Sequence, residues 1–130
     1  MKNFVLALAV LVLAPTLALA GGGGTKANAT IQVTNTGSSI LAVILDNATP
    51  PQDPNGFASA GGKILAAGEV ATFKNLKSGS HTVYAAVINP NTSLPIPGSQ
   101  TGKTYSLSQG QFLALNASAD VNNVITISKQ

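Results

Sequence analysis

The chain has 130 residues, with seven lysines against four acidic residues and a net charge of +3. It contains no Cys, no Arg and no Trp. This composition excludes thiolate catalysis, disulfide scaffolds, cysteine-based zinc sites and arginine-led recognition of nucleic acid. The length is that of one small domain.

The first 20 residues have the features of a cleavable export signal. Lys2 lies in a short charged region, an apolar run follows over residues 4–14, and Ala18-Leu19-Ala20 matches the small-x-small pattern that signal peptidases cut after. The sequence therefore predicts a signal-peptide helix over residues 1–20 that is typical of bacterial export. We expect a secreted, periplasmic or cell-surface protein.

The mature chain is expected to have two parts. Residues 21–28 begin with four glycines, which predicts a flexible arm, and residues 29–130 form the folded domain. The apolar run before Pro15 is too short to cross a bilayer as a helix, and no later stretch is longer. We therefore expect no membrane span in the mature form.

The pattern after the arm is one of short alternating runs rich in Val, Ile, Thr and Ala, separated by Gly, Pro, Asn and Ser. About seven strands in a chain of this length predict an all-β fold, a single antiparallel β-sandwich of the prealbumin-like or immunoglobulin-like kind. Eight candidate runs, of which 63–65 can pair only briefly, lie at residues 30–34, 40–45, 63–65, 70–73, 81–88, 103–107, 112–116 and 124–128.

Three local features refine this prediction. Residues 35–38 have turn chemistry, so the first two strands are expected to form a hairpin. Residues 40–45 are apolar on both faces, which predicts that a loop or another subunit covers the second face. The segments 46–62 and 89–102 are rich in Pro and Gly. We expect 46–62 to be an irregular surface loop and 89–102 to contain no central strand.

The predicted core consists of the inward side chains of these strands, together with the residues on either side of the bend that follows residues 70–73. Its members are Ile31, Val33, Leu41, Val43, Phe73, Leu76, Val83, Val87, Leu113, Leu115, Ile125 and Ile127.

One stretch carries a family resemblance. Phe73, Leu76, Gly79, His81 and Val83 have the spacing F-x-x-L-x-x-G-x-H-x-V, which resembles the F-x-x-L-x-x-G-x-Y-x-V hairpin of prealbumin-like sandwiches such as carboxypeptidase regulatory-like domains and collagen-adhesin B-type repeats. The resemblance implies a small secreted β-sandwich. It covers 14 residues and is a signature of fold rather than of function.

The same resemblance raises the question of an intramolecular isopeptide bond. Lys26 and either Asn122 or Asn123 could supply its outer members, but the acidic residue that self-crosslinking adhesin repeats carry after this motif is missing. His81 occupies the position of the family's aromatic residue, which favours a packing role for the imidazole.

The residue types offer little for catalysis. His81 is the only imidazole, four acids are available to orient it, and no motif frames a nucleophile. Asp46, Asp53 and Asn55 lie in one loop, but their spacing matches no calcium loop and Asp and Asn favour turns. We therefore expect a non-enzymatic protein with no cofactor and no metal.

Two functions remain open from the sequence. The first is a structural or adhesive role outside the cell, with a partner that is another surface protein, a polysaccharide or a second copy bound by strand addition through the arm and residues 30–34. The alternative is a small-ligand or carbohydrate-binding module, with the loops 46–62 and 89–102 forming a site at one end of the sandwich. Its candidate contacts are Asp46, Asp53, Asn55 and Phe57, with Tyr84 and Tyr105 as further stacking platforms. The lysines are scattered without interleaved aromatics, so no nucleic-acid partner is expected.

Overall fold

A computed structural model describes residues 27–130, and the predicted signal peptide, Lys26 and most of the arm lie outside this range. The described part contains nine strands and one short helix. They are β1 (Ala29–Asn35), β2 (Leu41–Leu45), α1 (Pro54–Ser59), β3 (Lys63–Leu65), β4 (Val70–Leu76), β5 (Gly79–Asn89), β6 (Leu94–Pro95), β7 (Thr101–Leu107), β8 (Phe112–Ala119) and β9 (Ile125–Lys129).

The strands form two sheets that pack as a sandwich, which confirms the all-β prediction. One sheet has the order β9-β8-β1-β4, and the other has the order β3-β2-β5, with β6 and β7 pairing with opposite ends of the free edge of β5. All pairs are antiparallel except one. β1 runs parallel to β8, with Thr30 opposite Phe112, so the expectation of a purely antiparallel sandwich of about seven strands is wrong on both points.

The core lies between the two sheets and is almost entirely aliphatic. The predicted members are buried there, with Phe73 and Leu76 partly exposed and packed against the rest. Alternation explains this result, because successive residues of a strand point to opposite faces. The prediction missed smaller or later members of the core, namely Ala29, Leu65, Ala71, Ala85, Tyr105, Leu107 and Ala117.

The expected hairpin of the first two strands does not form. β1 and β2 belong to different sheets, and the turn between them carries the chain across the sandwich. Asn35 fixes this crossing. Its buried side chain donates to the carbonyls of Ser39 at 2.7 Å and Leu65 at 3.0 Å, and it accepts from the amide of Gly37 at 3.1 Å.

The family-like motif is also a crossing rather than a hairpin. It begins in β4 of one sheet and ends in β5 of the other. Gly79 has φ of 120°, a conformation that side chains other than glycine rarely adopt. Val83 then enters the core completely buried.

The segment 46–62 contains the helix, which corrects the expectation that it is irregular throughout. Pro54 lies in the first turn, and the carboxylate of Asp53 caps the helix by accepting from the amide of Gly56 at 2.6 Å. Proline at the first helical positions after an N-capping Asp is a favoured start. Within residues 27–130, this helix is far too short to cross a membrane.

Candidate functional site

The outer face of the second sheet is apolar. Ala42 and Ile44 of β2 point away from the core, yet both are buried. On β5 the side chains of Tyr84, Ala86 and Ile88 continue the same face. Something other than the opposite sheet must therefore cover these residues.

Two segments of this chain provide that cover, as the apolar pattern of residues 40–45 predicted. The first wall is the segment 46–62, which contributes Pro50, Pro51 and Phe57, and the second wall is the segment 89–102, which contributes Pro95 and Ile96. Between the walls an open groove of about 580 Å³ remains above the sheet. The sequence-based alternative placed a site between these same loops at one end of the sandwich, whereas the groove lies across the face of a sheet.

The two aromatic rings of the groove each lie against a glycine. A Cβ atom on Gly102 would come within 2.8 Å of the Tyr84 ring, its partner across β5 and β7. A Cβ atom on Gly62 would come within 2.3 Å of the Phe57 ring. Neither glycine has a positive φ. Glycine is therefore required at these positions by the rings and not by the backbone.

The first wall is attached to the sheet at Asp46, where β2 ends. Asp46 has φ of 58°, and its carboxylate accepts from the amide of Thr82 at 2.7 Å. The other carboxylate oxygen lies 2.6 Å from Nδ1 of His81. Nε2 of His81 lies 2.6 Å from the carbonyl oxygen of Lys77, so both ring nitrogens contact oxygen atoms.

These contacts change the protonation of the imidazole. Partial burial lowers the pKa of His81, but the hydrogen bonds to Asp46 and to the Lys77 carbonyl, with the charge of Asp46, outweigh burial and raise the pKa above 6.5. The ring is held at the end of the sandwich by two polar contacts. His81 therefore does more than fill the place of an aromatic residue.

The second wall is attached at Ser99, which is buried. Its hydroxyl donates to the carbonyl of Ile96 at 2.7 Å and accepts from the amide of Val87 at 3.0 Å, so it takes the place of a strand partner where β6 and β7 are interrupted. Gln100 then joins the two walls, because its amide donates to the carbonyl of Ala48 at 3.1 Å.

The structure separates the residues that the sequence grouped as a ligand loop. Phe57 lines the groove, Asp46 is engaged with His81, and Asp53 caps the helix. Asn55 is exposed on α1. Asn122 lies in the turn between β8 and β9, where its backbone amide donates to the carboxylate of Asp120.

Tyr105 is not available as a stacking platform. It is 8% exposed and packs in the core, and its hydroxyl is the one buried side-chain polar atom without a hydrogen-bond partner in the described residues. Burial raises the pKa of Tyr105 above 10.0. The sequence-based prediction assigned no binding role to the aliphatic floor of the groove or to its prolines.

The described part of the chain has no cluster of three or more His, Cys, Asp or Glu side chains that could hold a metal ion. No protein-family model, curated protein or solved structure matches the chain. The chemistry of the groove is therefore the basis for a functional proposal.

Proposed function

We propose that this protein is an exported, non-enzymatic binding module that holds an uncharged, largely apolar small molecule in the groove. The observation that carries this proposal is the pairing of two proline-rich segments, distant in sequence, on either side of an apolar sheet face. The floor could have been covered by direct contact of the walls. Instead an opening of about 580 Å³ lies between them, bridged by the hydrogen bond from Gln100 to Ala48.

The size and lining of the groove support a small molecule. Ligand pockets measure roughly 300–1,000 Å³ and are lined mainly by apolar and aromatic side chains with a few polar groups. Among residues 27–130, no Lys, Asp, Glu or His lines this groove, and its polar side chains are Gln52, Ser93, Gln100 and the Tyr84 phenol. A charged ligand would lose its hydration without gaining an ion pair.

The prolines support a pre-formed site. Six prolines contribute to the lining, and each has a fixed φ and no amide hydrogen. Walls of this kind lose little conformational freedom when a ligand binds, which lowers the cost of binding. The scarcity of hydrogen-bond donors also favours an apolar ligand over a carbohydrate.

We propose that the sandwich is of the prealbumin-like class. This assignment rests on the spacing of the motif that runs from Phe73 to Val83, with Gly79 at the bend. The motif departs from the family's hairpin in that it crosses between the sheets. The export signal over residues 1–20 supports a location outside the cytoplasm.

Two observations weigh against the structural or adhesive role by strand addition. Residues 30–34, the proposed donor segment, lie in β1, which pairs with β8 on one side and β4 on the other. Of the five described strands that pair on one side only, β3, β4, β7 and β9 each carry a lysine, and the two-residue strand β6 carries Pro95. Lysines on edge strands oppose pairing with another chain.

Binding of Nile red, an uncharged dye that fluoresces in apolar surroundings, tests the proposal. Ile64 lies on the rim of the groove and is 52% exposed, and Val70 on the other sheet is similarly exposed at 47%. We expect Ile64→Glu to weaken dye binding about ten-fold and the matched Val70→Glu variant to bind like the wild type. Equal affinities in all three proteins, or no binding by a folded wild type, would overturn the proposal.

A further inference from the structure

The contacts of His81 require a particular protonation state. A neutral imidazole has one N–H and one bare nitrogen lone pair, whereas the imidazolium has two N–H donors. Both nitrogens of His81 lie 2.6 Å from oxygen atoms that can only accept, the Asp46 carboxylate and the Lys77 carbonyl. The two contacts are hydrogen bonds at the same time only when the ring is protonated.

We propose that Asp46 and His81 form a proton-dependent clasp that controls the ligand affinity of the groove. This inference rests on the proposed function, because it concerns the regulation of the same groove. The groove binds best at mildly acidic pH, with the clasp closed. It loses affinity as the pH rises and the ring gives up its second proton.

The clasp can act on the groove because of where Asp46 lies. Asp46 is the first residue of the first wall and is joined directly to the sheet. Its backbone amide donates to the carbonyl of Thr82 at 2.8 Å. Its left-handed backbone turns the chain away from β2 toward Pro50 and Pro51. Such a conformation costs free energy in a residue other than glycine, so local contacts must hold it.

The next tether along this wall is weak. The carbonyl of Ala48 accepts one hydrogen bond from the amide of Gln100, and both residues are exposed. Exposed hydrogen bonds of this kind compete with water and contribute little. The position of the wall up to the prolines therefore depends mainly on Asp46.

The groups that face His81 are few. Among the described residues, Asp46 is the charged side chain that acts on the ring. Lys77 contributes its backbone carbonyl, and Lys77 is itself an exposed residue. On β7 the register partner is Tyr105, which is buried in the core. The ring thus responds to one carboxylate and to its own protonation.

The sign of the effect follows from the raised pKa of His81. The folded protein holds the proton more tightly than an unfolded chain does, so the clasp contributes fully below about pH 6.5 and is lost as the pH rises through the folded-state pKa. Linkage is reciprocal. A ligand that needs the closed wall must therefore raise the pKa of His81 further when it binds.

The single histidine allows a direct test. Its imidazole gives one titrating NMR signal, and we expect saturation with Nile red to shift the midpoint to higher pH. We also expect wild-type affinity for the dye to fall about three-fold or more between pH 5.5 and pH 8.5. Asp46→Asn, which keeps a side chain that tolerates left-handed backbone, should lower the His81 midpoint and flatten the pH dependence of binding.

His81→Phe supplies the second variant, because an aromatic ring can fill the position without titrating. It should bind the dye with the same affinity at both pH values, and Asp120→Asn, in the distant β8–β9 turn, should behave like the wild type. An unchanged His81 midpoint on saturation, or the same pH dependence in His81→Phe, would overturn the clasp.

Failure of the proposed function would be seen separately. If Nile red bound at neither pH, the groove would not be an apolar ligand site and its regulation would fall with it. Amide hydrogen exchange of residues 47, 48, 49 and 52, expressed at each pH as protection relative to an unstructured chain, would then still show whether the clasp holds the wall. Equal protection at the two pH values would contradict the clasp itself.

Discussion

The contact between Tyr84 and Gly102 determines how deep the groove is. The tyrosine ring lies over a glycine on the neighbouring strand and forms part of the floor. Cross-strand pairs of an aromatic residue with glycine let the ring lie flat on the exposed backbone. The depth of the groove therefore depends on a missing side chain.

Gly102→Ala tests this relation. The backbone at Gly102 accepts an L-residue, but the new methyl group would meet the Tyr84 ring and force it outward. We expect a loss of about 1–3 kcal/mol in the free energy of unfolding, measured by denaturant titration, and weaker dye binding.

The double variant Gly102→Ala/Tyr84→Ala is the control, since removal of the ring removes the clash. The stability cost of the alanine at position 102 should then nearly disappear. A cost that persists in the absence of the ring would contradict this explanation.

Among the elements, the connection from β1 to β2 depends on one buried amide. Asn35 is completely buried, and its side chain makes three hydrogen bonds that tie the turn to the end of β3. Its backbone carbonyl accepts from the backbone amide of Gly68, and its backbone amide donates to the carbonyl of Glu69. This residue therefore joins the two sheets where the chain crosses between them.

Asn35→Ala should be among the most destabilising polar substitutions in the chain. It would leave buried carbonyls of the crossing without donors, and we expect a loss of about 2–3 kcal/mol in the free energy of unfolding by denaturant titration. Asn47→Ala is the matched control, because Asn47 is only half-buried and its side chain accepts one exposed, local hydrogen bond from the backbone amide of Thr49. A loss at position 35 as small as at position 47 would show that Asn35 does not hold the crossing.

The same connection shows how far the sequence could predict the elements. Alternation identified most strands to within a few residues, because the period of two depends only on which face is buried. The turn after β1 could not distinguish a hairpin from a crossing, since Asn, Gly and Ser suit both. The choice between a hairpin and a crossing depends on the hydrogen bond from Asn35 to the carbonyl of Leu65, which lies far along the chain.

The candidate site was predictable in part for similar reasons. The two proline-rich loops were expected to face a ligand, and the apolar second face of β2 was expected to need a cover. The start of α1 was also readable, because Asp53 before Pro54 is a favoured helix start that the prediction did not use. The pairing of Asp46 with His81 depends on the register of β2 with β5, which composition and spacing do not reveal.

At the scale of the whole molecule, lysines lie on most edge strands of the described sheets. Lys63, Lys74, Lys103 and Lys129 lie on β3, β4, β7 and β9, the short edge strand β6 carries Pro95 instead, and the four described interior strands carry no lysine. Lys103 reaches from one sheet to the other, where its ammonium group donates to the carbonyl of Ile127 at 2.9 Å. Charges on edges, including those turned inward, are common protection against sheet extension.

The double variant Lys74→Val/Lys129→Val tests this protection. It removes the charges from both edges of the sheet β9-β8-β1-β4, so we expect a wild-type monomer to give way to oligomers or aggregates in size-exclusion chromatography with light scattering. Lys77→Val, in the β4–β5 connection, changes the same residue type away from an edge and should remain monomeric. Oligomers already in the wild type would return weight to a structural role by self-assembly.

The parallel pair of β1 and β8 also determines the order in which the molecule can fold. β1 is near the start of the described chain, yet one of its two neighbours is near the end, so its place in the sheet cannot be completed until almost the whole chain is available. Contacts between such distant residues slow folding, because the chain must close a long loop before it gains their stabilisation. A chain synthesised from its N-terminus therefore stays open until late, which is compatible with the export that we propose.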